Sequence, residues 1–401
     1  MSWLKSARMA DGAVVDVEIA DGRVSRVVPA ASAQAGGAGT DLAGYLLLPS
    51  FVEPHAHLDK ALLGGHATVS AVADAMTRAE IAGRAERALR IYLAHGTTAI
   101  RTHVNVGGGA GLRGLEALVG LREKWRGIID LQVVALVGPP FDGQGGQDLR
   151  RALKEGADVA GGAPHLDPQP DRAVRICLDI AGDAGTPVDL HADETLNPNM
   201  LTLATMADLV AETRFPFRVT ASHCVSLAVQ PRAVQQSVSE QVARAGIAVV
   251  ALPHTNLFRQ GRDLPVRTPR GLTAIRALRA AGVTLAAGGD NLRDPVNPVG
   301  RGDALEVAAL MVTAGHLEPG EAIGSVTDAA RTALGLPPVQ VGPGCPADLV
   351  AIRAADAHEA VGAASPDRVA WRSGQVVART TICSEISEPA RDAPRLSAAG
   401  A

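Results

Sequence analysis

Lysine is scarce in this 401-residue chain: Lys5, Lys60, Lys124 and Lys154 are the four, and arginine carries the rest of the positive charge. No basic run or basic amphipathic helix stands out, and the formal net charge is −4, so a nucleic-acid partner is not expected. Long apolar runs are missing too. Every one is broken by Gly, Pro or charge, which excludes a membrane-spanning helix and argues against a membrane partner. The opening stretch MSWLKSARMADG has no apolar h-region and no cleavage pattern, so no signal peptide is expected. Cysteine occurs four times, as Cys177, Cys224, Cys345 and Cys383, and never as C-x-x-C. A disulfide framework is therefore not expected, and the cytoplasm is the natural compartment. A homo-oligomer is compatible with the sequence.

What is present is enough apolar material for a large core, 47% of the chain, arranged in a repeating pattern. Eight short apolar runs end in polar residues: Tyr45–Val52, Thr98–His103, Leu131–Val137, Val159–Ala163, Pro187–His191, Arg218–His223, Ala248–Leu252 and Val283–Asp290. Ala- and Leu-rich helical stretches such as Ala79–His95 and Pro231–Ala245 lie between them. Alternating β and α units imply a parallel sheet with right-handed crossovers. Eight units point to an α/β fold of the closed (β/α)₈ TIM-barrel type, which often exceeds 250 residues as one domain. Residues 7–28 and 347–382 instead hold short strands with Asp-Gly and Ser-Gly turns. They predict a small β-sandwich domain built from both chain termini. The expected division is 1–45 and 336–385 for the small domain, 46–335 for the barrel and 386–401 for a flexible tail. Gly107–Gly111 lacks the G-x-G-x-x-G pattern, and no G-K-[ST] follows it, so it reads as a loop over the barrel mouth.

The reactive side chains gather at the C-terminal ends of the expected strands, where such barrels keep their active sites. The first strand ends in Phe51-Val-Glu-Pro-His55-Ala-His57-Leu-Asp59. Positions i and i+2 of a strand face the same side, so His55 and His57 point together and can chelate one metal. His103 ends the second strand, His191 the fifth, with Asp193 and Glu194 after it, His223 the sixth, and Asp290 the eighth. Five histidines at strand ends of one barrel, with carboxylates among them, read as a metal site rather than as separate core residues. His66, His95, His316 and His358 fall in expected loops or helices, while His165 and His254 are placed to line the mouth.

The segments PSFVEPHAHLDKAL, RTHVNV, HADE, TASHC and GGDNLRDPVNPVG, in that order, resemble the amidohydrolase superfamily and within it the cytosine-deaminase-like group. The resemblance covers almost the whole chain. It implies His55, His57, His191 and Asp290 as ligands of a metal, with Asp290 also accepting a proton from the metal-bound water. It implies His223 as a hydrogen-bond donor to the hydroxide or tetrahedral intermediate, and Glu194 as the proton shuttle. Binuclear members of the superfamily bridge two metals with a carboxylated lysine or an acid on the fourth strand. That strand has no lysine here, which favours one divalent ion, Zn²⁺ or Fe²⁺. Two departures point away from cytosine itself. No Gln stands at the matching place in Ala135-Leu-Val-Gly138-Pro-Pro-Phe141-Asp142, and Asn291 replaces a second Asp.

The chemistry expected is hydrolytic deamination of an amino-substituted N-heterocycle, whether cytosine-like, triazine-like, pterin-like or creatinine-like. A divalent metal brings the pKa of bound water to roughly 7, and the resulting hydroxide attacks the carbon that carries the amino group. A carboxylate such as Glu194 can take and return a proton, and His223 can stabilise the developing oxyanion. Loops after barrel strands set specificity, so Phe141, Asp142 and Asn256, with His103 and Asn291, are the expected contacts of a small heterocyclic substrate. Two alternatives remain at this point: a cyclic amide or imide ring hydrolase on the same metal, and a non-catalytic metal-binding scaffold.

Overall fold

The computed structural model describes residues 1–30, 39–64 and 76–386. The expectation for His66, and that for the flexible tail 386–401 from residue 387 onward, lie outside the described residues. The first strands are β1 (Ser2–Arg8), β2 (Val14–Ala20), β3 (Arg23–Pro29), β4 (Gly39–Asp41) and β5 (Tyr45–Pro49). The next eight are β6 (Phe51–Ala56), β7 (Thr97–Asn105), β8 (Asp130–Val137), β9 (Val159–Gly162), β10 (Val188–Ala192), β11 (Val219–His223), β12 (Ala248–Ala251) and β13 (Leu285–Ala287). They form one sheet in chain order, every neighbouring pair parallel. The sheet closes on itself: Asp290 N–H donates to the His55 carbonyl at 2.9 Å, and Ala56 bridges Asp290 in parallel. This is the (β/α)₈ barrel, and two of the expected ligand residues make its seam.

Helices follow the strands. The first, α1 (Arg78–Ala94), starts from a capping box between Thr77 and Glu80. It buries Ile81, Ala85, Ala88, Leu89 and Tyr92, a stripe at helical spacing, against the barrel wall. The others that matter for the site are α2 (Thr202–Thr213), after β10, and α3 (Pro253–Arg259), after β12. Two more brace the barrel: α4 (Ala304–Thr313), after β13, and α5 (Asp328–Leu334). Ala330, Ala333 and Leu334 of α5 pack against Val52, Ala99, Val250 and Ala286 and plug the barrel floor. Strand β9 reads Val-Ala-Gly-Gly because its neighbours leave no room. A Cβ on Gly161 would stand 2.4 Å from Val134 Cγ1, and one on Gly162 would stand 2.7 Å from the Phe141 ring.

The expected first barrel strand Tyr45–Val52 is in fact two strands. Tyr45–Pro49 pairs antiparallel with β14 (Leu349–Arg353), and only after Ser50 does the chain enter the barrel. The apolar run is continuous because both sheets bury it, so nothing in its composition marks the break. With β15 (Arg368–Arg372) and β16 (Gln375–Thr380), these strands form a second sheet in the order β16-β15-β14-β5-β1-β2-β3, with β4 against β1. Strands from the two ends of the chain thus make the small sandwich, around Leu4, Val17, Leu47, Leu349 and Trp371. Arg368 of β15 ties it to the barrel. Its guanidinium donates to both carboxylate oxygens of Asp303 at 2.8 Å, and Asp303 in turn caps α4.

Candidate active site

His55 and His57 stand two residues apart at the end of β6 and face the barrel axis, as their spacing predicts. Ring nitrogens of His55, His57 and His191 lie within 4.8 Å of one another, and so do ligand atoms of His55, His223 and Asp290. Asp290 Oδ1 is 3.2 Å from His57 Nε2 and 3.7 Å from His55 Nε2. His191 Nε2 is 3.3 Å from His57 Nε2. All are buried.

On His57 and His55 an outer partner stands at Nδ1. His57 Nδ1 donates to the His103 carbonyl at 3.0 Å, so its Nε2 carries a lone pair. His55 Nδ1 is 2.9 Å from Ser222 Oγ, and its Nε2 has no hydrogen-bond partner, like Asp290 Oδ1. The Nε2 lone pair of His57 therefore faces a carboxylate oxygen 3.2 Å away. That arrangement is repulsive by itself and suits a cation with nitrogen and oxygen ligands. Burial first, and neighbouring imidazoles next, hold His55 and His191 well below the ordinary histidine value. Burial opposes ionisation of Asp290, yet the imidazoles beside it, His57 first and then His223, bring its carboxyl down to about 2. Neutral rings and an ionised carboxylate are the forms that bind metal.

The backbone is bent to present these groups. Asp193, His223 and Asp290 are non-glycine residues at positive φ, 53°, 72° and 62°, each where a strand turns into its loop. Such conformations cluster at functional sites. Asp193 is itself a brace. Its carboxylate accepts the N–H groups of Thr202 and Leu203 at the start of α2, and its carbonyl accepts those of Val225 and Ser226. Glu194 follows directly and points into the cavity, its Oε2 3.8 Å from His223 Nε2. Asn256 Nδ2 donates to His223 Nδ1 at 3.1 Å, which leaves the His223 proton on Nε2, aimed at the cavity and without a partner.

The cavity above these groups holds about 590 Å³. It is lined by His57, His191, His223, Glu194, Asp290 and Asn291 from the expected set, and by His165. The remaining expected substrate contacts are corrected. His103 is fully buried beneath the site, stacked on His55 with ring centres 3.8 Å apart. Phe141 is buried because its ring fills the space over Gly162. Asp142 is drawn outward into an ion pair with Arg172. Asn256 is buried behind His223 and orients that ring. His254 pairs with Glu306 at 3.2 Å and is not on the cavity wall.

Three polar groups at the site escaped the sequence reading. Lys60 lines the cavity, and its ammonium donates to Asn105 Oδ1 at 3.1 Å. Its signal was present: one of four lysines, three residues after His57. Arg259 of α3 also lines the cavity, 3.7 Å from Glu194 Oε1. Glu53 lies inside β6, where a charged residue in an apolar strand should have drawn notice. Its carboxylate accepts the N–H of His55 and of Gly289, bracing the barrel seam, and burial pushes it up to about 8.

Residues 62–378 match the family model described as "Amidohydrolase family". The pterin deaminase of Rhizobium rhizogenes is 35% identical over 385 residues, 91% of this chain and 88% of that one. Among solved structures, 5-methylcytosine deaminase of Klebsiella pneumoniae liganded with 5-fluorocytosine superposes with a TM-score of 0.87 at 28% identity. The likeness covers 97% of this chain and 100% of that one. N-isopropylammelide isopropylaminohydrolase of Burkholderia multivorans gives a TM-score of 0.83 at 29% identity, over 94% and 98%. The chain belongs to the amidohydrolase family and is a hydrolase of carbon–nitrogen bonds.

Proposed function

We propose that this chain is a metal-dependent hydrolytic deaminase of an amino-substituted N-heterocycle, with pterin-like bicyclic rings the foremost candidates. The observation that carries the reading is the pair Glu194 and His223, 3.8 Å apart on the cavity wall beside the ligand cluster. Metal binding alone needs neither of them in that place. His55, His57, His191 and Asp290 would hold one divalent ion, Zn²⁺ or Fe²⁺, which supplies hydroxide at neutral pH. Asp290 accepts a proton from the nucleophile. Glu194 carries the proton that water gives up in forming hydroxide to the ring nitrogen beside the carbon under attack, and the proton taken by Asp290 passes to the departing amino group, which leaves as ammonia. His223, its proton fixed on Nε2, donates to the oxygen gained by that carbon. Lys60 and Asn105 form a polar edge that suits the oxo and ring-nitrogen acceptors of such a heterocycle.

The cavity, at about 590 Å³, has room for two fused rings. The 35% identity to a pterin deaminase supports that choice over a single pyrimidine ring. The four unpaired cysteines suit a cytoplasmic location. The test is release of ammonia by the Zn²⁺- or Fe²⁺-loaded protein from pterin and 6-substituted pterins, set beside cytosine, 5-methylcytosine, aminotriazines and creatinine. Ammonia from the pterins with the highest kcat/KM supports the proposal. A new carboxylate without ammonia replaces it with ring opening, and release of an alkylamine from an N-alkylated triazine replaces the substrate class. Silence on every compound with metal bound leaves a scaffold.

A further inference from the structure

Beneath the ligand cluster, a line of buried polar side chains runs down the barrel axis to its floor. His55 Nδ1 meets Ser222 Oγ at 2.9 Å, and Ser222 Oγ donates to Asp189 Oδ1 at 2.9 Å. Arg101 Nη1 donates to Asp189 Oδ2 at 2.9 Å and to Thr220 Oγ1 at 3.1 Å. Arg101 Nε and Nη2 both donate to Gln132 Oε1, at 3.0 and 2.9 Å, and Gln132 Nε2 donates to the Leu334 carbonyl in the floor helix α5 at 2.9 Å. His55, Ser222, Asp189 and Arg101 are all buried. Five of the eight barrel strands, β6, β7, β8, β10 and β11, each give one or two members, and nothing in the proposed chemistry uses any of them except His55.

Each link fixes the direction of the next. The Leu334 carbonyl can only accept, so Gln132 turns its NH₂ downward and its oxygen up to the guanidinium. Arg101 is always charged, and its guanidinium 2.9 Å away favours the carboxylate form of Asp189. An ionised Asp189 can only accept, so Ser222 spends its single O–H on it. The oxygen of Ser222 is then left to accept, and His55 must donate from Nδ1. The line ends in a lone pair on His55 Nε2, 3.7 Å from Asp290 Oδ1 in the ligand cluster and with no hydrogen-bond partner among the described residues. His57 reaches the same state by one bond to a backbone carbonyl, whereas His55 needs a carboxylate reached through a hydroxyl.

We propose that Asp189, acting through Ser222 and held ionised by Arg101, is a positioning residue that fixes the His55 tautomer and raises the affinity of His55 Nε2 for the divalent metal. This rests on the metal reading given under the proposed function. Outer partners of ligating histidines typically contribute roughly 10–100-fold to metal affinity. Here the contribution is delivered from a buried ion pair, out of reach of substrate and solvent.

The experiment compares wild type with Ser222→Ala, which removes the link without leaving a buried charge unpaired, and with Ser222→Thr, which keeps the hydroxyl. Zn²⁺ affinity is measured by competition with a chromophoric chelator, and unfolding is followed on the metal-free proteins. We expect Ser222→Ala to unfold within a few degrees of wild type, to bind Zn²⁺ roughly 10–100-fold more weakly, and to be rescued by Ser222→Thr. The Co²⁺-loaded Ser222→Ala protein should also show a shifted visible spectrum. If Ser222→Ala does not fold, the wild type alone decides through ¹⁵N-imidazole spectra of the metal-free protein, with His55 assigned from His55→Gln. A proton on Nδ1 supports the inference, and one on Nε2 overturns it. Zn²⁺ affinity of folded Ser222→Ala within two-fold of a tightly binding wild type overturns the relay alone. A wild type that takes up neither Zn²⁺ nor Co²⁺ overturns the metal reading and the relay with it.

Discussion

Glu194 touches His223 and Arg259 and is not one of the four ligand candidates, so proton transfer and metal binding can be separated at a single residue. Glu194→Gln keeps the shape of the side chain but cannot carry a proton. We expect it to fold, to retain its metal, and to lose ~10²–10⁴-fold in kcat. A fully metallated Glu194→Gln enzyme with normal turnover would falsify that role. His191→Ala makes the complementary case. It removes one of three imidazoles whose nitrogens lie within 4.8 Å, so most of the bound metal should be lost, as elemental analysis after gel filtration would report. The same analysis on wild type should give one metal per chain, and two at full occupancy would sink the mononuclear reading.

At the level of elements, the site depends on how tightly the short strands approach one another. Strand β9 has four residues, and its two glycines let β8 and β10 close around it. A Cβ on Gly161 meets Val134 Cγ1 at 2.4 Å, the Ala135 carbonyl at 3.0 Å and the Asp189 carbonyl at 3.1 Å, so it has no free direction. Overpacking of this kind costs typically ~1–3 kcal/mol. Gly161→Ala should therefore lower the unfolding free energy by about that amount. Because it presses on the backbone of Asp189, two residues before His191, it should also weaken metal binding. Unchanged stability in urea unfolding would show that the strands can part without cost.

Across the whole molecule, two features tie stability to charge. In the metal-free protein, burial and neighbouring rings hold His55 and His191 well below 6.5, and burial also lowers His103. A histidine with a depressed folded pKa contributes stability that is present above its unfolded pKa and lost as pH falls. Glu53 acts in the opposite sense. Its carboxyl is raised from 4.5 to about 8, so its contribution is present below 4.5 and lost as pH rises through 8. His95 and His165 are lowered by burial as well, and five histidines against one carboxyl leave a net loss toward acid, each uncompensated proton being worth roughly 1.4 kcal/mol per pH unit. Melting curves in chelator should therefore shift down from pH 7 to pH 5, and a flat profile would contradict the buried neutral rings. The second feature is the Arg368–Asp303 pair between the sandwich and the barrel, both residues buried. Arg368→Leu strands the Asp303 carboxylate and removes a donor from the His95 carbonyl. A loss of about 3–5 kcal/mol is expected, read by urea unfolding. A change under about 1 kcal/mol would mean that the two units are held by apolar packing alone.

The sequence alone determined the repeat of strand and helix, the barrel it implies and the histidines and Asp290 at the strand ends. These are local facts: a period of two puts His55 and His57 on one side, and a strand end puts His191, His223 and Asp290 at one rim. It also carried the small sandwich, since turns and short strands are legible at both ends of the chain. What only the tertiary structure decided was which neighbours each group meets across strands far apart in the chain. The apolar run from Tyr45 to Val52 serves two sheets and carries no mark of the change. Asn256 was expected at the substrate and stands behind His223, 33 residues away in sequence, because β11 and β12 are adjacent. Phe141 turned inward because Gly162, on the next strand, leaves a hollow for its ring. The line from His55 through Ser222 and Asp189 to Arg101 joins four strands that sequence order separates. Periodicity tells which way a side chain points from its own strand, whereas barrel closure sets what it faces, and hydrogen bonding there depends on the second.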